Sequence, residues 1–322
     1  MIQAVIDLGT NTFHLLLVDK NPDGTYQTLF RDSRPAKIGQ SAGQEGGIGQ
    51  CIISPDATDR ALTVLHAFGQ VLAQHQLDPA DVVVFGTSAI RVARNQAEFV
   101  ARVLAETGLR IRVLSGDEEA ALIYRGVRAS GAIPAYETAL VMDIGGGSVE
   151  FILATVGANP DGSTDRVFWK QSFELGGQRL MDRFMGEAEG LTPAAVARLD
   201  TYLREQLLPL TNAVHQYRPT VLVGASGSFD TLVDLHYQEH SSTWPPAEQS
   251  AFDLPVPAFE HYYHLLLHRN RAERMALPGM IELRVDMIVV AVCLIQFVLN
   301  TYQIGQIRVS TYALKEGAVA GL

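Results

Sequence analysis

Two segments of the chain carry the same short pattern, and this internal repeat constrains the fold more than any other feature. Residues 5–16 read VIDLGTNTFHLL and residues 141–152 read VMDIGGGSVEFI. When Asp7 is aligned with Asp143, both segments have a glycine two positions later and a hydroxyl residue five positions later. In each segment an apolar run ends at the Asp, and a tight turn leads to a second apolar run. A hairpin that recurs in one register at the head of each half predicts a duplicated α/β domain.

The rest of the sequence alternates between strand and helix patterns. In the first half we predict strands over 4–7, 13–18, 82–85 and 111–114, and helices over 55–72, 98–106 and from 116 onward. In the second half we predict strands over 139–143, 149–155, 168–174 and 220–224, and helices over 192–214 and 287–299. The Gly-rich stretch 41–49 predicts a mobile loop, and the Pro-rich stretch 241–257 predicts a flexible insertion.

Size and charge exclude several classes of protein. A chain of 322 residues is long for one core, so two domains are expected. With 25 Lys and Arg against 35 Asp and Glu, the net charge of -10 argues against a nonspecific nucleic-acid binder. An anionic substrate then requires that positive groups converge locally. The longest apolar stretch, 287–299, is shorter than the ~20 residues of a membrane span, and the start lacks a signal-peptide pattern. We therefore expect a cytoplasmic protein without a membrane segment.

The turn of the second repeat has the composition of a phosphate-binding loop. Gly145, Gly146 and Gly147 remove side chains where a ligand must approach the backbone, and Ser148 adds a hydroxyl donor. Asp143 and Glu150 flank this turn, and since carboxylates repel phosphate, we interpret them as ligands of Mg²⁺. The alternative is a structural hairpin that uses glycine only for its geometry.

Further candidates follow other apolar strands. Gly224, Ser226 and Gly227 form a third glycine turn before a predicted helix, an arrangement that suits an anion but also simple packing. Arg91 comes just after the strand 82–85, where sites of α/β proteins form. For Arg284 and Asp286, before the apolar helix, the plain interpretation is an ion pair with each other. The nine histidines show no metal-ligand spacing, and no Ser/His/Asp arrangement is indicated.

Taken together, these motifs resemble the Ppx/GppA phosphatase family, in its short two-domain form. The segments that carry the resemblance are AVIDLGTNTFHLLLVD, TSAIRVARN, LSGDEEAALIYRGV, VMDIGGGSVEF, VGASGSFDTL, the segment around Arg284 and Asp286, and STYALKEG, in order from residue 4 to residue 317. The resemblance implies an α/β fold with two ribonuclease-H-like domains of the actin/Hsp70/sugar kinase superfamily flanking a cleft. It divides the chain into domain I, 1–118 plus 304–322, and domain II, 119–303.

The resemblance also implies roles for single residues. Glu119 matches the catalytic base, and Asp143 and Glu150 match the metal-associated acids. The phosphate-binding positions that it implies are Asp7, Gly9, Asn11, Thr12, Arg91, Gly145, Gly146 and Ser148. From the glycine turns themselves we add Gly147, Gly224, Ser226 and Gly227. The chain departs from the family where His14 and Lys37 replace arginines, and where 313–317 reads ALKEG instead of Gly-Leu-Arg-Glu-Gly. Loss of arginine at position 14 puts one cationic contact in question near neutral pH.

The function that follows is an exopolyphosphatase, a Mg²⁺-dependent hydrolase that removes the terminal phosphate of inorganic polyphosphate. One alternative is hydrolysis of the 5′-phosphate of guanosine pentaphosphate, which needs the same chemistry and another recognition surface. A second alternative, from another class, is an actin-like ATP-binding switch or assembly module. No nucleic-acid or membrane partner is expected, and a homodimer is left open.

Overall fold

A computed structural model describes residues 1–22, 25–40, 47–157, 165–186 and 189–321. The first repeat opens a five-stranded sheet. Its strands are β1 (Ile2–Leu8), β2 (Thr12–Lys20), β3 (Tyr26–Pro35), β4 (Val83–Gly86) and β5 (Ile111–Val113), in the spatial order β3-β2-β1-β4-β5. Strands β1, β2 and β3 pair antiparallel, and β4 and β5 continue the sheet in parallel with β1.

The second repeat opens a second sheet with the same plan. Its strands are β6 (Thr138–Ile144), β7 (Val149–Val156), β8 (Asp165–Phe173), β9 (Val221–Ala225), β10 (Ala251–Leu254) and β11 (Ile307–Ser310). The order is β10-β11-β9-β6-β7-β8, with an antiparallel meander β6-β7-β8 and parallel β9 and β11 beside β6. The predicted duplication is thus visible in strand order as well as in sequence.

Helices cover the two sheets. Those of the first half are α1 (Pro55–Gln74), α2 (Ser88–Val92), α3 (Gln96–Thr107) and α4 (Gly116–Ala129), with a short 3₁₀ turn at Pro79–Asp81. The others are α5 (Gly177–Phe184), α6 (Pro193–Gln206), α7 (Leu208–Tyr217), α8 (Gly227–Ser241), α9 (Val256–His268), α10 (Arg271–Met275), α11 (Met287–Tyr302) and α12 (Leu314–Gly321). As predicted, α11 is a buried core helix of the second half. No helix in the described ranges has the length and apolarity to cross a membrane.

Helices α4 and α12 cross closely in the core between the two sheets. A Cβ on Gly126 would lie 2.0 Å from Ala313 O, and one on Gly317 would lie 1.8 Å from Leu122 O, so only glycine allows this approach. The surrounding core contains Val5 of the first sheet and Val141 of the second. Strand β11 belongs to the second sheet, whereas α12, which follows it, packs on α4 and β1. The division into domains I and II stays a prediction.

Two predicted segments differ from the structure. The helix predicted over 192–214 is broken at Leu207 into α6 and α7, because Pro209 lacks the N–H that a continuous helix requires. The insertion predicted over 241–257 contains β10, which pairs with β11 at the edge of the second sheet. Most of the loop predicted over 41–49 lies outside the described residues.

Candidate active site

A cavity of about 560 Å³ lies where the two repeated hairpins meet. Every predicted site residue lines it apart from Arg91 and Gly224. The strands explain this convergence, because β1 and β6 each run through a buried core and carry an acid, Asp7 and Asp143, at the penultimate position before the turn. Residues far apart in sequence, such as Glu119, Ser226 and Gly227, reach the same cavity from the N-terminal turns of α4 and α8.

The two hairpin turns have matching hydrogen bonds. Gly9 N–H donates to Thr12 O at 3.1 Å, and Gly145 N–H donates to Ser148 O at 3.0 Å. The carbonyls inside both turns accept from the segment that follows the third strand of the same sheet: Gly39 N–H donates to Thr10 O, and Gln178 N–H donates to Gly146 O. Among the described residues, the amides at positions 10, 11, 146 and 147 donate no hydrogen bond, so these are the amides that an anion-binding nest would use.

The second hairpin turn (residues 145–148) also touches the first half of the chain. A Cβ on Gly147 would lie 2.5 Å from both Thr10 Oγ1 and Ser88 Oγ. Only glycine therefore fits between the two halves at this point. Glycines 145–147 were predicted to let a ligand approach the backbone. At Gly147 the lack of a side chain also lets Thr10 and Ser88 of the first half pack against the turn.

Buried carboxylates gather beneath the turns. Asp143 and Glu150 are direct neighbours across β6 and β7, with 5% and 1% of their surfaces exposed. Burial raises the pKa of Asp143, and burial together with the charge of Glu119 raises that of Glu150 well above its usual range. Burial also raises the pKa of Glu119 to about 7, although the bonded Arg91 guanidinium acts in the opposite direction. Buried carboxyl groups with raised pKa values are stabilised by a nearby cation or by a bound proton.

The donor set fits Mg²⁺ in its usual mode of binding. Asp7 Oδ1, Asn11 Oδ1 and Thr12 Oγ1 are buried without a hydrogen-bond partner among the described residues. Within the same ranges no group of three or more His, Cys, Asp or Glu side chains stands close enough to enclose a metal ion. Mg²⁺ is commonly held by one or two carboxylates, with water and substrate phosphates completing its shell. Asp143 and Glu150 are the residues that would hold it.

The effect of burial on Asp7 can be tested by measuring the free energy of unfolding at two pH values. Burial, reinforced by Asp143 and Glu316, raises the pKa of Asp7 to about 7. The folded protein thus keeps the proton up to about pH 7, while the unfolded chain loses it near pH 4, so stability falls as pH rises between these values. We expect Asp7→Asn to be more stable than the parent by roughly 2–4 kcal/mol at about pH 8 and to show no gain at about pH 4.

Urea denaturation in the presence of a chelator measures this difference. The matched control is Asp253→Asn on the exposed edge of β10, where an Asp pairs with Arg308 at the surface. A gain for Asp7→Asn that is equal at both pH values would contradict the assigned titration.

Three cations line the same cavity as the acids and turns: Arg31 on β3, Arg284 before α11, and Lys315 in α12. Arg31 and Lys315 both pair with the fully buried Glu316, at 3.2 and 3.3 Å. They also lie near His14, whose pKa is lowered well below its usual range by burial and by these positive charges. His14 is thus neutral, and positive charge is supplied around it in spite of the net charge of -10.

The comparisons with known proteins agree with this geometry. A model of the Ppx/GppA phosphatase family matches residues 17–322. The chain belongs to the Ppx/GppA phosphatase family. An exopolyphosphatase from Cytophaga hutchinsonii ATCC 33406 is 39% identical, with a TM-score of 0.89 over 100% of this chain and 99% of that one. The Aquifex aeolicus family member, 21% identical over 100% of this chain and 97% of that one, shares the fold with a TM-score of 0.76.

The structural matches confirm the predicted α/β fold, with two mixed sheets covered by helices on either side of a cleft. Family membership also makes the protein a phosphate-hydrolysing enzyme of the Ppx/GppA type. The roles of single residues stay predictions. Gly224 has a packing role in this family member, since a Cβ there would lie 2.1 Å from the ring of Phe229.

Arg91 is placed differently from a simple phosphate-contacting arginine. Its Nη1 donates to Glu119 Oε2 at 2.5 Å and to Leu114 O at 3.3 Å, and its Nη2 donates to Glu174 Oε1 at 3.0 Å. The guanidinium therefore stands beside the predicted base. Asp286, predicted to pair with Arg284, pairs instead with Arg271 at 3.0 Å.

Sequence reasoning did not select the cations Arg31, Arg284 and Lys315 as site residues. Arg284 and Lys315 stand within segments that carry the family resemblance, which was an available signal. Arg31 had none, because it is one of several charged residues in an exposed, alternating strand. Its position in the cavity depends on the pairing of β3 with β2.

Gly227 gives a direct test of Arg284. A Cβ on Gly227 would lie 2.0 Å from Arg284 Nη2, so Gly227→Ala has to displace the guanidinium. A charge-assisted hydrogen bond is worth about 1.5–3 kcal/mol, so we expect KM for the phosphate substrate to rise about tenfold or more. The control is Gly305→Ala, because nothing lies within 4 Å of a Cβ at that position. Steady-state kinetics of both variants decide, and an unchanged KM in Gly227→Ala would remove Arg284 from substrate binding.

Proposed function

We propose that the protein is a Mg²⁺-dependent exopolyphosphatase, which hydrolyses the terminal phosphate of inorganic polyphosphate. The observation that carries this proposal is the single cavity in which two amide-lined turns and buried acids face Arg31, Arg284 and Lys315. A linear polyanion needs positive groups for several phosphates at once, and the three cations add such groups to a cavity whose turns would hold the reacting phosphate. The 39% identical exopolyphosphatase of Cytophaga hutchinsonii supports the same substrate class.

Glu119 is assigned as the general base. Its pKa of about 7, raised by burial, lets the carboxylate accept a proton from water near neutral pH. The water then attacks the terminal phosphorus in line, opposite the leaving phosphate chain. Amides of the second hairpin turn and Ser148 stabilise the charge on the transferred group.

Mg²⁺, when bound at Asp143 and Glu150, would neutralise phosphate charge beside these acids. The two acids take no proton in the reaction. Their task is to hold positive charge below the second hairpin turn, where the Gly145–Ser148 hydrogen bond fixes the backbone. Ser172 orients Glu150 by donating to its Oε1 at 2.6 Å.

The decisive experiment is a comparison of kcat/KM for polyphosphate, guanosine pentaphosphate and ATP, with phosphate release as the readout. The proposal expects the highest value for polyphosphate with no nucleotide present. Phosphate release from guanosine pentaphosphate alone would favour the second candidate below. Binding of ATP with no phosphate release from polyphosphate would favour a switch or assembly module.

A specific observation supports guanosine pentaphosphate as a second candidate substrate. One wall of the cavity is apolar and is formed by Trp244, Pro245, Pro246, Phe252 and Ile281. Trp244 and Ile281 are 59% and 45% exposed, so their surfaces are open to a ligand. An aromatic side chain beside an anion site suits a nucleobase, whereas inorganic polyphosphate has no group to place there. The segment 241–257, predicted as a flexible insertion, thus contributes to the site.

Trp244→Ala separates the two substrates. Base stacking on an aromatic side chain is worth about 1–3 kcal/mol, so we expect KM for guanosine pentaphosphate to rise about 5- to 100-fold while KM for polyphosphate stays the same. Tyr136→Ala is the control, because Tyr136 is an exposed aromatic residue outside the cavity. Equal effects of Trp244→Ala on both substrates would contradict a nucleoside subsite.

A further inference from the structure

Glu174 joins three side chains at the edge of the cleft. It follows β8, and its Oε2 accepts from Ser88 Oγ at 2.6 Å and from Arg179 Nη2 at 2.9 Å. Its Oε1 accepts from Arg91 Nη2 at 3.0 Å. Both carboxylate oxygens are therefore occupied by donors, two of which are charged.

These partners come from the two halves of the chain. Ser88 and Arg91 lie on α2, directly after β4 of the first sheet, whereas Arg179 lies on α5 beside the second sheet. Arg179 continues the connection, since its Nε donates to Gly147 O at 2.8 Å and its Nη1 donates to Ile48 O at 3.4 Å. One chain of contacts thus runs from the second hairpin turn through Arg179 and Glu174 to Arg91.

This series of contacts ends at Glu119, the proposed general base. Arg91 holds Glu119 with its other nitrogen, so the carboxylate of Glu174 and that of Glu119 share one guanidinium. Without Glu174, the two arginines would repel each other across the cleft, and Arg91 would keep only its contacts on the Glu119 side. The side chains of Arg91 and Arg179 are 17% and 19% exposed, so solvent screens this repulsion only in part.

We propose that Glu174 is a positioning residue: by holding Arg91 and Arg179 together, it keeps the second hairpin turn at a fixed distance from the Arg91–Glu119 pair. This proposal builds on the proposed function, because the turn would hold the phosphate and the pair would activate the water. Glu174 does not line the cavity, so it would touch neither the phosphate nor the water. Its effect should therefore appear in the rate of reaction more than in substrate binding.

Glu174→Gln tests this role. Glutamine keeps the size of the side chain but loses the negative charge, and its NH2 group replaces one of the two oxygens, so one arginine faces a donor instead of an acceptor. Since small displacements of reacting groups cost up to about 100-fold in rate, we expect kcat to fall about tenfold and KM to change less than about twofold. The control is Glu106→Gln on α3, where a glutamate of similar exposure (40% against 39%) pairs with Arg102. An unchanged kcat in Glu174→Gln would overturn the proposal.

A double variant tests whether Glu174 acts on the rate through Arg179. If Glu174 acts through Arg179, then Glu174→Gln combined with Arg179→Met should be no slower than the slower single variant. If the two losses multiply, Glu174 does not act through this contact and the proposal fails.

Amide hydrogen exchange tests the contact chain independently of the reaction. We expect exchange at Ser88–Val92 and at 145–148 to be at least about fivefold faster in Glu174→Gln than in the parent, and unchanged in Glu106→Gln. If the parent releases no phosphate from polyphosphate or guanosine pentaphosphate, the proposed function fails, and faster exchange in both segments still supports the positioning role. Equal exchange in parent and variant would overturn it.

Discussion

Replacing Glu119 by Gln is expected to lower kcat for polyphosphate by about 10²–10⁴-fold, the usual contribution of a general base. Glutamine keeps the size of the side chain and can still accept from Arg91 Nη1, which in the parent lies 2.5 Å from Glu119 Oε2. The amide cannot take a proton from water, so the loss falls on the chemical step. KM should change little, because Arg31, Arg284 and Lys315 remain in place.

The neighbouring acid is the matched control for this change. Glu118 is also in the first turn of α4, but it caps the helix through Ser115 and pairs with Arg112 at the surface. Glu118→Gln should leave kcat within about twofold of the parent, since surface pairs contribute little. If Glu119→Gln is as active as Glu118→Gln in a steady-state phosphate-release assay, Glu119 is not the base.

Removing both predicted metal ligands is expected to abolish turnover. Asp143→Asn and Glu150→Gln each delete one buried charge from the site. Each should raise the Mg²⁺ concentration for half-maximal rate by about tenfold or more, since changes around a metal site commonly cost about 10–100-fold in affinity. With both charges gone, the acids left in the cavity lining are Asp7, Glu119, Asp230 and Asp234, none of which lies on β6 or β7.

A charge-matched double variant separates a local loss from a change in net charge. Asp253→Asn with Glu106→Gln removes two surface acids, each paired with an arginine. Its Mg²⁺ titration should overlay that of the parent. Mg²⁺ titrations of all four variants, followed by phosphate release, give the comparison. Activity of the Asp143→Asn/Glu150→Gln variant at low Mg²⁺ would show that the metal is held elsewhere.

The sequence contained the signal for those features that depend on a few neighbouring residues, such as turns and helix ends. An apolar run that ends in Asp, followed by glycine and a hydroxyl residue, predicted both hairpins, and the structure has them with matching Gly9–Thr12 and Gly145–Ser148 hydrogen bonds. Ser54 and Pro55 predicted the start of α1 for the same reason, since a helix cap depends on neighbouring residues. Pro209 carried an equally local signal for the break between α6 and α7, and the prediction of one long helix overlooked it.

Contacts between residues that are far apart in the sequence could not be predicted in this way. Arg31 reaches the cavity because β3 pairs with β2, and Trp244 reaches it because β10 joins the far edge of the second sheet. Arg91 was predicted beside the site, but its division between Glu119 and Glu174 depends on residues that come 28 and 83 positions later. No spacing along the chain encodes such partners.

The sequence and the tertiary structure therefore determine different features of this protein. The sequence alone determined the duplicated α/β architecture, the two hairpin turns and the buried acids beside them, because turn geometry and burial of an apolar strand depend on residues within one short segment. Only the tertiary structure decided which cations face those turns, and that Arg91, Glu174 and Arg179 connect the halves. Those contacts arise from the packing of the two sheets around α4 and α12, and the energy of each contact depends on distances between segments that are far apart in the sequence.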